Sequence, residues 1–314
     1  HGDLEKSAQS FRYAIKQAPD NAMFHCNLGR VLASQRDFAG AEVEFRKTLS
    51  LDPAYTEANF GLGQVYSEFG KTEDAMEYLR KSLELDPDLK DARYFLAALE
   101  KPDASSQYHI KHVTDMFDDF AERFDDTLTN KLGYNTPALI RNVVTKHLDD
   151  GPSRYSVFDA GCGTGLCGPL FRDIASMLVG VDLSPRMIEQ AQARNVYDEL
   201  IVGEIAETLN HGSKRYGLII AADVFVYIGD LDSTFKACHR ALDEGGYFIF
   251  STESEPARRY VLRGSGRYAH SDEYIRELAG QHGFDLVSQE TCVLRQDYGK
   301  PIPGSLHVLR KTHT

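Results

Sequence analysis

Hydrophobic positions along this chain fall into two rhythms. Over roughly the first hundred residues, apolar and small residues recur every three or four places, which predicts a series of amphipathic helices. From Tyr155 onward, short apolar runs alternate with helical stretches, which predicts strand–helix–strand units around a parallel sheet. Between these regions, HVTDMFDDFAERFDDTLTNKLGYNTPALIRNVVTKHL reads as two helices, the first capped by Thr114 or Asp115. Met116, Phe117, Phe120 and Phe124 form an apolar stripe at helical spacing. Asp118, Asp119, Glu122, Asp125 and Asp126 are the expected solvated face.

The helical region repeats itself. Leu28-Gly29 matches Leu62-Gly63 at an offset of 34 (62 minus 28), and the same offset links Ala41 to Ala75, Phe45 to Leu79 and Pro53 to Pro87. Phe11, Ala14 and Pro19 are the tail of an earlier unit, and Leu96 and Ala97 open a later one. Small residues let paired helices approach, and the proline of each unit stops its second helix. Two helices per unit at this period resemble tetratricopeptide repeats. Such arrays bury a core by stacking and use one face for a peptide or another domain, so a protein or peptide partner is expected here, the alternative being that the array only packs against the rest of the chain or mediates self-association. Lys101-Pro102-Asp103 ends the pattern. The expected division is a repeat domain over 1–102, a helical linker over 103–150, and an α/β domain over 151–314.

The core opens with YSVFDAGCGTGLCGPLF, a strand, a glycine-rich turn and a helix that tolerates Pro169 in its first turn. Gly161, Gly163 and Gly165 allow a tight turn and close approach of a ligand, and a helix N-terminus there favours an anionic group. Gly163, Gly165 and Gly168 also spell the dinucleotide pattern GxGxxG, so the loop alone is ambiguous. Asp159, two residues before the first glycine, separates the readings: an acid there suits a cationic amine and repels a pyrophosphate. Asp182 ends the next strand, 17 residues after Gly165 (182 minus 165), where an acid can accept both ribose hydroxyls. Ser184-Pro185 starts a helix carrying Met187. Glu204-Ile205 is placed at the end of a third strand, with the carboxylate for an adenine amino group and the apolar neighbour for its ring. Asp223 falls at the end of a fourth. All four acids stand where open α/β sheets bind ligands, at the carboxyl ends of strands.

Residues 155–255 resemble a class I S-adenosylmethionine-dependent methyltransferase. The resemblance rests on Asp159-x-Gly161-x-Gly163-x-Gly165, Asp182, Glu204-Ile205, AADVFVYI and LDEGGYFIFST. With the repeats and FDDFAERFD…LGY, nearly the whole chain resembles predicted bacterial methyltransferases with tetratricopeptide repeats. That family implies an all-α repeat solenoid followed by a Rossmann-like α/β domain, whose seven-stranded, mostly parallel sheet has an antiparallel last strand. It implies S-adenosyl-L-methionine as cofactor, S-adenosyl-L-homocysteine as product, and no metal. Its cofactor residues map here onto Asp159, Gly161, Cys162, Gly163, Gly165, Asp182, Leu183, Met187, Glu204, Ile205, Ala222 and Asp223, with Phe117 and Phe124 in a lid. Glu204 stands where the family often has Asp.

A sulfonium is an activated methyl donor, so the protein must chiefly align nucleophile, carbon and sulfur, and supply a base where the nucleophile must lose a proton. Asp223, Tyr227 and His270 are the candidate catalytic residues, and Glu253 and Tyr134 are further candidates. His270 is equally readable as a loop histidine before an N-cap at Ser271, although its titration range suits a base. Arg258, Arg259, Arg263 and Arg267 read either as a solvated face or as partners of an acceptor carboxylate or phosphate. The methyl acceptor itself is not legible. Alternatives are a repeat scaffold that binds the cofactor without turnover, and a nicotinamide oxidoreductase.

Charge narrows these readings. The 314 residues include 35 basic and 47 acidic side chains, a net charge of -12. Nucleic-acid binding through phosphates needs a basic face, and Ala222-Asp223-Val224-Phe225 lacks the Asp/Asn-Pro-Pro-aromatic grip on a flipped base, so no nucleic acid is expected. No apolar run approaches the roughly 18 residues of a membrane span, so no membrane is expected. Cys26, Cys162, Cys167, Cys238 and Cys292 lack CxxC or zinc spacing and read as reduced thiols of a cytoplasmic protein. The polar first residues show no signal peptide, and a start at His1 rather than Met suggests upstream sequence.

Overall fold

The computed structural model describes residues 2–128, 133–148, 155–297 and 300–312. The expected boundary at 150/151 lies outside the described residues. The chain forms two compact units: His1–Pro102 with Val261–Arg267, and Asp103–Tyr260 with Tyr268–Thr314.

The first unit is helical: α1 (Gly2–Gln17), α2 (Ala22–Ser34), α3 (Phe38–Leu51), α4 (Thr56–Glu68), α5 (Thr72–Leu85) and α6 (Lys90–Glu100). The starts of α2, α4 and α6 are 34 residues apart, as are those of α3 and α5 (56 minus 22, 90 minus 56, 72 minus 38). The small residues do what their spacing predicts. A Cβ on Gly29 would lie 2.8 Å from the Phe45 ring, and one on Gly63 2.8 Å from Leu79. Phe45 also fills the space beside Gly61, so one ring of α3 packs on backbone in both α2 and α4. The Asn21 side chain caps α2 by accepting from the N–H groups of Met23 and Phe24, and Asp37 caps α3 through Gly40.

The second unit starts with α7 (Gln107–Asp126) and α8 (Thr136–His147). Then follow β1 (Tyr155–Ala160), α9 (Gly168–Phe171), β2 (Ala175–Asp182), α10 (Pro185–Ala193), β3 (Glu199–Val202), α11 (Ile205–His211), β4 (Tyr216–Ala221), a 3-10 turn at Phe225–Tyr227, α12 (Asp232–Ala241) and β5 (Leu242–Glu253). A short ribbon, β6 (Tyr260–Leu262) and β7 (Tyr268–His270), precedes α13 (Asp272–Gln281), β8 (Phe284–Asp297) and β9 (Lys300–Lys311). The sheet order is β3-β2-β1-β4-β5-β9-β8, parallel through β5, with β9 antiparallel to β5 and β8 antiparallel to β9. The expected seven-stranded sheet with an antiparallel last strand is therefore present. Alternate strand residues serve opposite cores, as strand geometry requires. Phe158 and Ile219 pack with α11, α12 and α13, whereas Val157, Leu218 and Ile220 pack with α8 and Phe171.

Five local expectations need correction. Helix α7 begins after Ser106 and not at Thr114 or Asp115. Met116 is exposed on it, and Asp118 and Asp125 are half-buried. Glu204 and Ile205 begin α11 and do not end β3, because a carboxylate in extended backbone is a natural N-cap. The helix after the glycine loop has one turn, too short for a substantial dipole.

Candidate active site

The switch in strand order between β1 and β4 places a crevice at the carboxyl ends of these strands, where doubly wound sheets hold ligands. Strand β1 runs into Gly161, Gly163 and Gly165, which hold φ angles of +67°, +54° and +84°, open to glycine at little cost. At Gly161 the close approach also matters, since a Cβ would meet Val224 at 2.6 Å.

Asp159 is buried beneath this loop. Its Oδ2 accepts a 2.6 Å hydrogen bond from the Tyr197 hydroxyl, while Oδ1 has no hydrogen-bond partner among the described residues. Burial raises its pKa to about 7, opposed by the Tyr197 bond and reinforced by the charge of Asp182. Asp182 ties the loop to β2, because its Oδ2 accepts from Gly163 N–H at 2.9 Å and its Oδ1 from Ser184 N–H at 2.9 Å. Burial raises its pKa too, those N–H groups oppose the shift, and Asp118 adds to it. Each carboxylate oxygen keeps a second lone pair for a ligand hydroxyl. Cys162 and Cys167 are buried beside this acid pair, and burial pushes both thiols well up, which disfavours the thiolate.

Helix α7 is clasped to this corner. Asp118 Oδ1 accepts from the Ser184 hydroxyl at 2.5 Å and from Arg186 N–H at 3.3 Å. Asp125 accepts from the Thr164 hydroxyl at 2.5 Å and pairs with Arg194. Phe124 comes within 3.9 Å of where a Cβ on Gly163 would stand. Phe117 joins Phe124 (ring centroids 6.1 Å) to Tyr227 (5.3 Å). His109, also on α7, hydrogen-bonds the backbone at Tyr227. Phe117, Phe124 and Tyr227 are thus brought together, with Phe124 beside the glycine loop.

The ends of β4, β5 and β8 form a second cluster. Asp223 adopts φ +61°, a left-handed conformation uncommon outside glycine. Its N–H donates to Ser251 Oγ at 2.9 Å. Its carboxylate lies 3.3 Å from the Arg295 guanidinium, which reaches Glu253 at 2.6 Å. The Tyr134 hydroxyl donates to the carbonyl of Ala222 at 3.2 Å.

Other expected site residues are placed differently. Glu204 spends its carboxylate on the N–H groups of Ala206 (3.0 Å) and Glu207 (2.6 Å), and Ile205 joins the core. Met187 is buried, and Leu183 is half-buried between Asp182 and Ser184. His270 is buried against Tyr274 (6.1 Å, stacked), and its Nε2–H donates to the carbonyls of Ile228 and Gly229 at 2.9 and 3.0 Å. Burial lowers its pKa to about 4. It supports the chain just after Tyr227. Arg263 pairs with Glu68, Arg258 with Glu255, and Arg259 covers the Tyr274 ring.

Tyr197, Asp118, Asp125 and Arg295 were missed as site residues. The one available signal was that acids on an otherwise apolar-striped helix could be partnered. Nothing in their spacing named the partners.

Comparison with known proteins bears on the two domains and their fold. The family model described as methyltransferase domain matches residues 158–250, and two tetratricopeptide-repeat models match 32–100 and 1–55. The chain therefore contains a methyltransferase domain and tetratricopeptide repeats. It is 28% identical over 130 residues to the malonyl-[acyl-carrier protein] O-methyltransferase of Salmonella typhimurium, covering 40% of this chain and 51% of that protein. It is 26% identical over 117 residues to the mitochondrial ubiquinone biosynthesis O-methyltransferase of Rattus norvegicus, covering 35% and 34%. The chain thus spans about half or less of the length of these relatives. The fold is shared with the magnesium protoporphyrin IX methyltransferase of Synechocystis PCC 6803, crystallised with S-adenosylmethionine (TM-score 0.50, 18% identity, 66% of this chain and 99% of that one). It is also shared with the 1,6-didemethyltoxoflavin-N1-methyltransferase of Burkholderia thailandensis (TM-score 0.51, 17% identity, 64% and 88%).

Proposed function

We propose that this chain, which joins tetratricopeptide repeats to a methyltransferase domain, transfers a methyl group from S-adenosyl-L-methionine to an oxygen or nitrogen of a small molecule or protein-borne group. Asp159 carries the reading: a buried carboxylate under a glycine loop, with one oxygen unpartnered among the described residues, fits a cationic amine and opposes a pyrophosphate. When bound, the cofactor supplies a methyl group already activated on a sulfonium.

The residues around it align and shield. Asp182 accepts ribose hydroxyls while holding Gly163, and Leu183, Met187 and the start of α11 flank the adenine side. Phe117, Phe124 and Tyr227 exclude water above the loop. Asp223, held by Arg295, positions the acceptor; its ion pair suits orientation better than proton abstraction. His270 acts through the carbonyls that follow Tyr227. The names of the two curated relatives favour an oxygen acceptor. In this division residues 103–150 form the lid, 151–314 do the chemistry, and 1–102 recruit a partner or carrier. Five free cysteines suit a reducing, cytoplasmic setting.

Calorimetric titration tests the reading. Saturable S-adenosylmethionine binding, at least about tenfold weaker in Asp182→Ala, with no NADH binding, is expected; two charge-assisted hydrogen bonds justify that magnitude. NADH binding without S-adenosylmethionine binding would overturn it in favour of an oxidoreductase.

A further inference from the structure

The segment Val261–Arg267 interrupts the sequence of the second unit yet belongs to the first. It is a hairpin tip of sequence VLRGSGR. Arg263 N–H donates to the Arg267 carbonyl at 2.8 Å, and Gly266 N–H to the Arg263 carbonyl at 2.8 Å. Gly266 has φ +76°, the left-handed residue that closes a three-residue hairpin loop. Loop tips usually face water, where their backbone groups are solvated. Here Ser265 is the exposed residue of the seven, and the main chain finds side chains instead.

Those side chains come from α4 and α6, the first helices of successive repeats. Gln64 Nε2 donates to the Gly264 carbonyl at 2.9 Å, Ser67 Oγ to the Leu262 carbonyl at 2.5 Å, and the Tyr94 hydroxyl to the Gly266 carbonyl at 2.7 Å. Glu68 accepts from Gly264 N–H at 2.8 Å and pairs with the Arg263 guanidinium at 3.4 Å. A Cβ on Gly266 would come 3.1 Å from the Tyr94 ring, which meets Phe95 edge-on. Four of these five contacts read backbone atoms and the fifth reads an arginine. A glycine-rich turn is the shape that lets a ring and two helices come so close.

We propose that α4 and α6 form a turn-binding seat that recognises an Arg-Gly-x-Gly hairpin tip through its main chain, and that its resident ligand is this chain's own Val261–Arg267. The seat is occupied in cis.

Amide hydrogen exchange on the full chain tests this, with no cofactor or substrate involved. The double variant Ser67→Ala/Tyr94→Phe removes two donors while keeping the ring and the small side chain. Exchange over 261–267 is expected to rise roughly tenfold, with α2 and α5 unchanged, from two modest hydrogen bonds. The segment-side variant Arg263→Met leaves the repeats intact and is expected to speed exchange at Gly264. Unchanged exchange over 261–267 in both proteins would overturn the proposal, since the turn would then hold itself. A rise spread evenly over the repeats in the double variant, with Arg263→Met unchanged, would overturn it equally.

Discussion

Asp159 sets an electrostatic problem that the folded chain leaves unsolved without a ligand. Its pKa is raised from 3.8 to about 7, so the folded protein binds a proton more tightly than the unfolded chain between those values. Stability then falls as pH rises from about 4 to 7 and stays lowered above it. A shift of this size is on the order of 4 kcal/mol, an upper bound for one buried carboxyl. Asp159→Asn keeps an acceptor for Tyr197 and removes the charge. We expect it to stabilise the ligand-free protein by about 1–3 kcal/mol at pH 8 and by little at pH 4, measured by urea denaturation across that range. A difference independent of pH would contradict the shifted carboxyl. The same variant should bind S-adenosylmethionine at least about tenfold more weakly, because a cationic ligand favours the ionised acid. Stability and binding would then move in opposite directions at one residue, as expected of a functional site.

The elements show why some of this was legible and some not. The repeat helices follow from a period that every unit restates: Gly29 with Phe45 and Gly63 with Leu79 are the same contact 34 residues apart. Gly29→Ala should therefore cost about 1–3 kcal/mol by overpacking, read as a lower urea midpoint of the helical unit. The glycine loop and the strand-end acids were legible because a turn with positive φ and a strand end each restrict residue type locally. Helix α7 was legible as a helix but not as a clasp. Asp118 meets Ser184 and Asp125 meets Thr164 across 66 and 39 residues, and a carboxylate awaiting a partner looks in sequence like one awaiting water. Glu204 was misplaced by one element for a related reason: a carboxylate after a strand can end that strand or cap the next helix, and here it caps α11. Asp118→Ala with Asp125→Ala should raise amide exchange in α7 severalfold, since the half-exposed Arg194 pair contributes at most about 1 kcal/mol. Unchanged exchange would mean that Phe117 and Phe124 hold the helix unaided.

At the scale of the molecule, the chain visits its two units in the order first, second, first, second, because Val261–Arg267 returns to the repeats before β7 resumes. The repeats are therefore not a contiguous module that can be cut away without trace. A chain shortened to residues 103–314 loses α4 and α6 but keeps Asp159, Asp182, Asp118 and Asp223, all in the second unit. Its sheet core has its own members, since Phe158, Ile219 and Phe248 pack within that unit. We expect the shortened chain to fold and to bind S-adenosylmethionine within about threefold of the full chain by calorimetry. Its residues 261–267 should exchange at rates near those of an unstructured loop. Loss of binding with the sheet intact would show that the repeats contribute to the cofactor site, so that recruitment and catalysis could not be separated by truncation.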